Sequence, residues 1–231
     1  DQLKGELLRR VAHELNTPVT AIQTAARILT RWDQIPKEKV SNFVGIVAEE
    51  ASRLGDLIAS ALQAAALGLP QEVGEKTAVP VADLLRQALA PVKGEVAERQ
   101  IKVAVKVASG LDKVMCFPEA LTAALTALLK NAVEFSRPQG SVTVTVLPVR
   151  KAGQNFVEFR VEDNGVGIAP EDLPQVTEPF FQGGNLLTGK PKGLGLGLTV
   201  AKRVAELHGG ALEIVSQPEQ GTTVSLRVAV G

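Results

Sequence analysis

Two stretches of the sequence bring together side chains fit for chemistry. The first is "RRVAHELNTPVTAIQ", Arg9 to Gln23. An exposed neutral imidazole is a nucleophile with a pKa near working pH. His13 is followed at once by Glu14, a carboxylate that can take the ring proton or hold the tautomer. Thr17 and Pro18 come next, and on the heptad frame His13 and Thr17 face outward while Glu14 flanks the seam. Pro18 removes the hydrogen bond owed to the Glu14 carbonyl and weakens a helix beside the imidazole. Phosphoryl acceptance and metal binding are both open to such a histidine. Metal binding lacks a second ligand at helical spacing, because the other histidine, His208, is far away in sequence.

The second group lies in the C-terminal half. "VEDNGVGIAPEDL" ends an apolar run with Asp163, followed by Gly165 and Gly167. The carboxylate can accept a hydrogen bond from an exocyclic amine, and glycines let backbone approach a ligand closely. A tight turn after a strand has the same appearance. "GKPKGLGLGLTVAKRVAELHGG" then places Gly193, Gly195 and Gly197 before a helical pattern. Glycine-rich backbone at a helix N-terminus offers N–H groups and a positive dipole end to phosphate. Lys190 and Lys192 add charge. The Gly-Lys-Ser/Thr order of a Walker A loop is missing, and the glycine spacing is not that of a dinucleotide fingerprint. Asn131, in "LLKNAVEFS", offers an amide oxygen of the kind Mg²⁺ accepts beside phosphates and waters. Glu178 to Gly193, rich in glycine and without regular pattern, reads as a lid over a nucleotide.

These groups need elements to hold them. Leu8, Val11, Leu15, Pro18, Ile22, Ala25 and Leu29 recur in steps of three and four, a heptad seam. "TRWDQIPKEK" interrupts it, with Pro36 where a new helix can start. Val40, Val44, Val47, Ala51, Leu54, Ile58, Ala61 and Ala65 repeat the pattern. Two such helices make an antiparallel hairpin, and pairing two hairpins into a homodimeric four-helix bundle covers both seams. "LGLPQEVGEKTAVP" reads as a linker by its Gly and Pro content. Beyond it the periods mix. Helices are expected at Val81–Arg99, Pro118–Phe135 and Leu194–Leu207. Strands are expected at Ile101–Val107, Val114–Phe117, Val142–Val149, Phe156–Val161, Ala211–Ser216 and Thr222–Val228. The fold class is therefore a helical hairpin followed by an α+β domain, a mixed sheet with helices on one face. The expected domains are 1–66, a linker at 67–79, and 80–231.

Composition narrows the functions. Of 231 residues 45% are apolar, enough for a sizeable core. Acids and bases balance at 25 each, which argues against a broad electrostatic grip on nucleic acid. The single cysteine, Cys116, excludes an internal disulfide and a cysteine zinc site. No apolar run reaches membrane-spanning length. The first residue is Asp, so a membrane or sensor segment upstream is an expectation.

"HELNTP", "LLKNA", "DNGVGI", "EPFFQ", "GLGLGL" and "GTTVSL" occur in this order at fitting distances. In that ordered set the chain resembles the catalytic core of a two-component sensor histidine kinase. The resemblance implies a dimerisation and phosphoacceptor domain followed by a Bergerat-fold ATP-binding domain, an α/β sandwich, with ATP and Mg²⁺ as cofactors. His13 matches the phosphoacceptor, Glu14 the general base, and Thr17 the residue that orients water in the phosphatase reaction. Asn131 matches the Mg²⁺ ligand and Asp163 the reader of the adenine amine, with Gly165 and Gly167 shaping the pocket. Phe180 and Phe181 match the aromatic motif beside the lid. Gly193, Gly195 and Gly197 match the phosphate-facing loop, and Thr222 and Thr223 the last motif near the base. The implied partner is the receiver domain of a response regulator, and the implied location is cytoplasmic. Ala127 stands where the family often has asparagine, Glu134 and Phe135 where it often has a base and tyrosine, and Asn16 where it often has arginine. These departures bear on rate. Two other readings remain: a pseudokinase or phosphatase scaffold that signals by docking, and a non-kinase ATPase of the same nucleotide fold.

Overall fold

A computed structural model describes residues 2–67, 75–183 and 194–230, apart from the side chains of 2–11, 13, 34, 56 and 59–67. The chain divides into two compact units, one of residues 1–65 with 190–194 and one of residues 66–189 with 195–231.

The N-terminal unit is a helical hairpin of α1 (Gln2–Leu29) and α2 (Lys37–Leu67), joined through a short 3₁₀ turn at Trp32–Gln34. α1 runs through Pro18, which is buried. Pro36 ends the turn, and its carbonyl accepts from the Val40 N–H at 3.3 Å as α2 begins. Ala25 and Leu57 are the most deeply buried apolar side chains described here. The α2 heptad splits in two. Val40, Val47 and Leu54 are half-buried, whereas Val44, Ala51 and Ile58, each seven residues apart, are exposed. A single hairpin thus leaves one apolar stripe of α2 uncovered.

The C-terminal unit has a two-stranded sheet and a five-stranded sheet. β1 (Thr77–Pro80) pairs antiparallel with β3 (Lys113–Cys116). The larger sheet has the order β2-β4-β5-β7-β6. Its strands are β2 (Lys102–Val107), β4 (Ser141–Lys151), β5 (Gln154–Asp163), β6 (Leu212–Gln217) and β7 (Gly221–Ala229). β2 runs parallel to β4 and the other pairs are antiparallel, so the sheet is mixed. Its helices are α3 (Val81–Leu89), α4 (Lys93–Glu98), α5 (Pro118–Phe135) and α6 (Gly197–Leu207). One face of the sheet carries Val142, Val144, Val146, Val157, Phe159, Val161, Val224, Leu226 and Val228, all buried. α5 lays Leu121, Leu125, Leu128 and Leu129 into this core. The other face is polar: Glu158, although 2% exposed, is bound there by Arg160, Arg227 and Ser225. One face apolar and one polar is what alternating strand sequences dictate.

Three expectations change. The helix expected over Val81–Arg99 is α3 and α4 separated by a 3₁₀ turn at Ala90–Val92, because Pro91 cannot supply the helical N–H. The end of the expected linker, Thr77–Val79, forms with Pro80 a strand that extends the C-terminal unit N-terminally. The helix expected from Leu194 starts at Gly197. Its end follows the sequence reading: Gly209 takes φ +70°, and the Gly210 N–H reaches the Ala205 carbonyl at 2.9 Å.

Candidate functional site

On the hairpin, His13 and Glu14 lie in α1 one turn before Pro18. The His13 side chain falls outside the described set. Thr17 and Asn16 are exposed and Glu14 is half-buried. Pro18 has no N–H to give the Glu14 carbonyl. One turn further on, the Thr20 hydroxyl bonds back to the Asn16 carbonyl at 2.8 Å, and Thr24 does the same to Thr20. Such back-bonding, like the proline, favours bending of the helix. Thr17 borders an open groove of about 620 Å³ whose floor includes Ala25, Ile28, Phe43 and Ile46.

In the C-terminal unit the apolar core ends on a polar row. Ser216 of β6, Thr222 of β7 and Asp163 of β5 are directly paired neighbours across three strands. Asp163 Oδ1 accepts from the Gly165 N–H at 2.9 Å and the Thr222 N–H at 3.3 Å. These bonds fix the carboxylate and leave Oδ2 for another donor. Burial raises the Asp163 pKa above the ordinary aspartate value, and the two N–H groups oppose that shift. The Ser216 hydroxyl accepts from the Ile168 N–H at 2.8 Å and lies 2.9 Å from the Gly221 carbonyl and 2.8 Å from Thr222 Oγ. Thr223 has opposite parity to Thr222 and pairs with Glu162, so it faces the far side of the sheet from Asp163. Of the two threonines, Thr222 alone belongs to this row.

The glycines hold the loops close. A Cβ on Gly165 would stand 2.2 Å from the Phe135 carbonyl oxygen, which accepts from the Val166 N–H at 3.1 Å. Gly167, at φ +70°, would place a Cβ 2.0 Å from the Gln217 carbonyl oxygen. The loop after Asp163 is therefore clamped between the end of α5 and the β6–β7 turn. Arg99 secures that end of α5, donating to the carbonyls of Val133, Glu134 and Ser136. A guanidinium there also meets the negative end of the helix dipole.

Asn131 sits on α5 beside the start of α6. A Cβ on Gly197 would lie 3.4 Å from Asn131 Oδ1 and 3.6 Å from the Ala127 Cβ, so the two helices approach on small groups. Among the described residues no side chain caps the N-terminus of α6, and a helix end of this kind offers its first N–H groups to an anion. Thr199 and Lys202 tie α6 to Thr177, at 3.0 and 3.4 Å. The Phe180 N–H reaches the Gly195 carbonyl at 3.1 Å, with Phe180 at φ +66° and Gly195 at φ +65°. Phe180 and Phe181 are half-buried. Lys190, Lys192 and Gly193, with most of the expected lid, lie outside the described residues.

Among the described residues no group of three His, Cys, Asp or Glu could hold a metal. A lone amide oxygen beside an anion-ready helix end suits Mg²⁺, which usually arrives with phosphates and keeps its waters. His208 is no ligand. It is fully buried, accepts from the Phe117 N–H through Nε2 at 3.0 Å, and contacts the Val204 carbonyl through Nδ1 at 2.7 Å. The sequence reading missed Ser216, whose partners are Ile168, 48 residues away, and Gly221 and Thr222 across the β6–β7 turn, and Arg99, whose α5-end partners lie 34 to 37 residues away. Nothing local marks either one.

Residues 117–231 match the family model for the histidine kinase-, DNA gyrase B- and HSP90-like ATPases, and residues 3–69 match the His kinase A phosphoacceptor domain. The sensor-like histidine kinase SenX3 of Mycobacterium tuberculosis is 34% identical over 224 residues, covering 96% of this chain. The chain spans 53% of that relative's length. Full-length ShkA, solved in complex with AMPPNP, is 27% identical with a TM-score of 0.65, over 98% of this chain and 46% of that one. The Acinetobacter baumannii histidine kinase AdeS shares the fold with a TM-score of 0.70 at 19% identity, over 94% of this chain and 97% of that one.

Proposed function

The chain belongs to the sensor histidine kinases of two-component systems, carrying their phosphoacceptor and ATP-binding domains in that order, and from that premise we propose that it phosphorylates itself on His13 with ATP and passes the phosphoryl group to an aspartate of a response-regulator receiver domain. The observation that carries the reading is the half-buried Asp163. Its Oδ1 is held by two backbone N–H groups, and the same domain offers the uncapped end of α6 and the Asn131 amide to phosphates and a cation.

Each group has a task. Asp163 Oδ2 accepts from the adenine amine, and Gly165 and Gly167 keep the loop close enough to wall the base. The first N–H groups of α6 receive phosphate oxygens, with Gly193, Gly195 and Gly197 leaving the approach open and Lys190 and Lys192 adding charge. Phe180 and Phe181 anchor the base of the lid. Asn131 contributes an oxygen to Mg²⁺, which when bound supplies charge neutralisation at the triphosphate. A ring nitrogen of His13 attacks the γ-phosphorus, ADP leaves, and Glu14 takes the imidazole proton. Most of the catalysis is positioning and charge stabilisation. Thr17, exposed one turn after His13, orients a water for hydrolysis of the regulator's phosphoaspartate.

The working form is a homodimer. The exposed Val44, Ala51 and Ile58 stripe and the groove lined by Ala25, Ile28, Phe43 and Ile46 are what a second hairpin would cover. No described helix is long and apolar enough to cross a membrane. Use of ATP places this part of the protein on the cytoplasmic side.

The test is incubation with γ-labelled ATP and Mg²⁺ beside His13→Ala. Acid-labile, base-stable label on the wild type alone is the expected result. Binding of ATP without label would remove the autokinase reading and leave phosphatase action through Thr17. Ala127, beside the start of α6, and Glu134, an acid where the family often has a base, favour that alternative.

A further inference from the structure

We propose that Ser216 is a positioning residue for base selection: it fixes the Thr222 hydroxyl as an acceptor, so that the floor of the base pocket admits a 6-aminopurine and rejects a 6-oxopurine. The inference rests on the nucleotide reading above and adds to it a residue outside the motifs that carry that reading.

The hydrogen count carries it. Ser216 Oγ has one proton and two lone pairs. The Ile168 N–H, 2.8 Å away, can only donate to it. The Gly221 carbonyl, 2.9 Å away, can only accept from it. With the serine proton used on Gly221 and one lone pair on Ile168, the second lone pair faces Thr222 Oγ at 2.8 Å. All three contacts are hydrogen bonds together only if Thr222 donates to Ser216. The Thr222 hydroxyl then presents lone pairs to the pocket and no proton. Beside it, on the paired residue of β5, stands the Asp163 carboxylate, which also only accepts. A floor of acceptors suits an exocyclic amine. An oxo group at the same ring position brings a third acceptor against two and goes unpaired. All three residues are partly buried, and a base seated against them would cover the exposed remainder, so an unpaired oxo group would keep its desolvation cost.

The experiment compares Mg·ATP with Mg·ITP, which differ at purine C6 in amine against oxo and in the N1 proton. Dissociation constants are measured by calorimetry for the wild type, Ser216→Ala, Thr222→Val and the double variant. The wild type is expected to prefer ATP by about a hundredfold or more, as sites built on directed hydrogen bonds do. Ser216→Ala frees the Thr222 proton to turn toward an oxo group, so the ITP/ATP ratio should fall roughly tenfold, the worth of about one hydrogen bond. In the Thr222→Val background Ser216→Ala should leave the ratio unchanged. Equal weakening of both nucleotides by Ser216→Ala would mean a purely structural role and would overturn the proposal. Should that variant not fold, Thr222→Val decides alone: a ratio equal to the wild type's overturns it. A wild type that binds ATP and ITP equally sinks this inference alone. A wild type that binds neither removes the nucleotide reading as well.

Discussion

His208 offers a sharp test of how the ATP-binding unit is held together. It is 0% exposed and joins the end of α6 to the start of α5, through the Phe117 N–H and the Val204 carbonyl. With Nε2 accepting from an N–H, the ring must be neutral with its proton on Nδ1. His208→Leu keeps an apolar volume but orphans a buried N–H, which costs about 1–3 kcal/mol. Cys116, next to Phe117, is the chain's one cysteine and is 0% exposed, its thiol pushed up to about 11 by burial. Its labelling by dithiodipyridine therefore reports opening of this unit and of no other part of the chain. The leucine variant should label about 5- to 150-fold faster, the exponential of that cost. The pH dependence has a defined sign. Desolvation lowers the His208 pKa in the fold, assisted by Lys76 and opposed by the Val204 carbonyl. The unfolded chain then binds a proton that the folded chain refuses, so stability is complete above the unfolded value of about 6.5 and declines as pH falls below it. Wild-type labelling, corrected for reagent rate on the unfolded chain, should rise from pH 7.5 to 5.5 more than that of His208→Leu. Equal labelling of the two proteins at neutral pH, or the same acid rise in both, would refute the reasoning.

Asp163→Asn keeps an oxygen for the Gly165 and Thr222 N–H groups and removes the charge. ATP affinity should drop by about 10- to 150-fold, the worth of a charge-assisted hydrogen bond, with unchanged circular dichroism; full affinity would exclude the carboxylate as the base reader. Gly165→Ala drives a Cβ to 2.2 Å from the Phe135 carbonyl oxygen, so the loop must move and nucleotide binding should be lost while the hairpin's helicity remains, as calorimetry and circular dichroism would show together. Arg99→Ala removes donors from two α5 carbonyls and from that of Ser136 just beyond and should lower the stability of this unit by about 2 kcal/mol, measured by the same thiol labelling. Val44→Glu with Ile58→Glu charges the exposed α2 stripe; light scattering should show a monomer, and an intact dimer would place the interface elsewhere.

What the sequence made legible was whatever is written locally. α5 spans Pro118–Phe135 as expected, because Pro118 supplies a fixed φ at its first position and Ser136 takes extended backbone at its end. The polar-apolar alternation of β4, β5 and β7 marks strands for the same reason. Asp163 with its glycines, and Asn131, were visible because their motifs are short and contiguous. The failures share one cause, which is that the deciding partner is distant. β1 lies in a stretch whose Gly and Pro content reads as linker, and only its pairing with β3 makes it a strand. Thr222 and Thr223 are equivalent as letters; the register against β5 turns one to Asp163 and the other away. Ser216 is unremarkable until β6 pairs with β7 and the Ile168 loop, 48 residues away, closes on it, and Arg99 until the end of α5, 34 residues away, reaches it. His208 shows the same principle in reverse. The sequence reading set it aside as too distant from His13 to share a ligand, and its neighbours across the fold make it a neutral core side chain. Residue type and spacing therefore picked out the candidate contacts around Asp163 and the start of α6, while the groups that orient those side chains belong to tertiary pairing. A variant scan confined to the motifs would miss the second kind entirely.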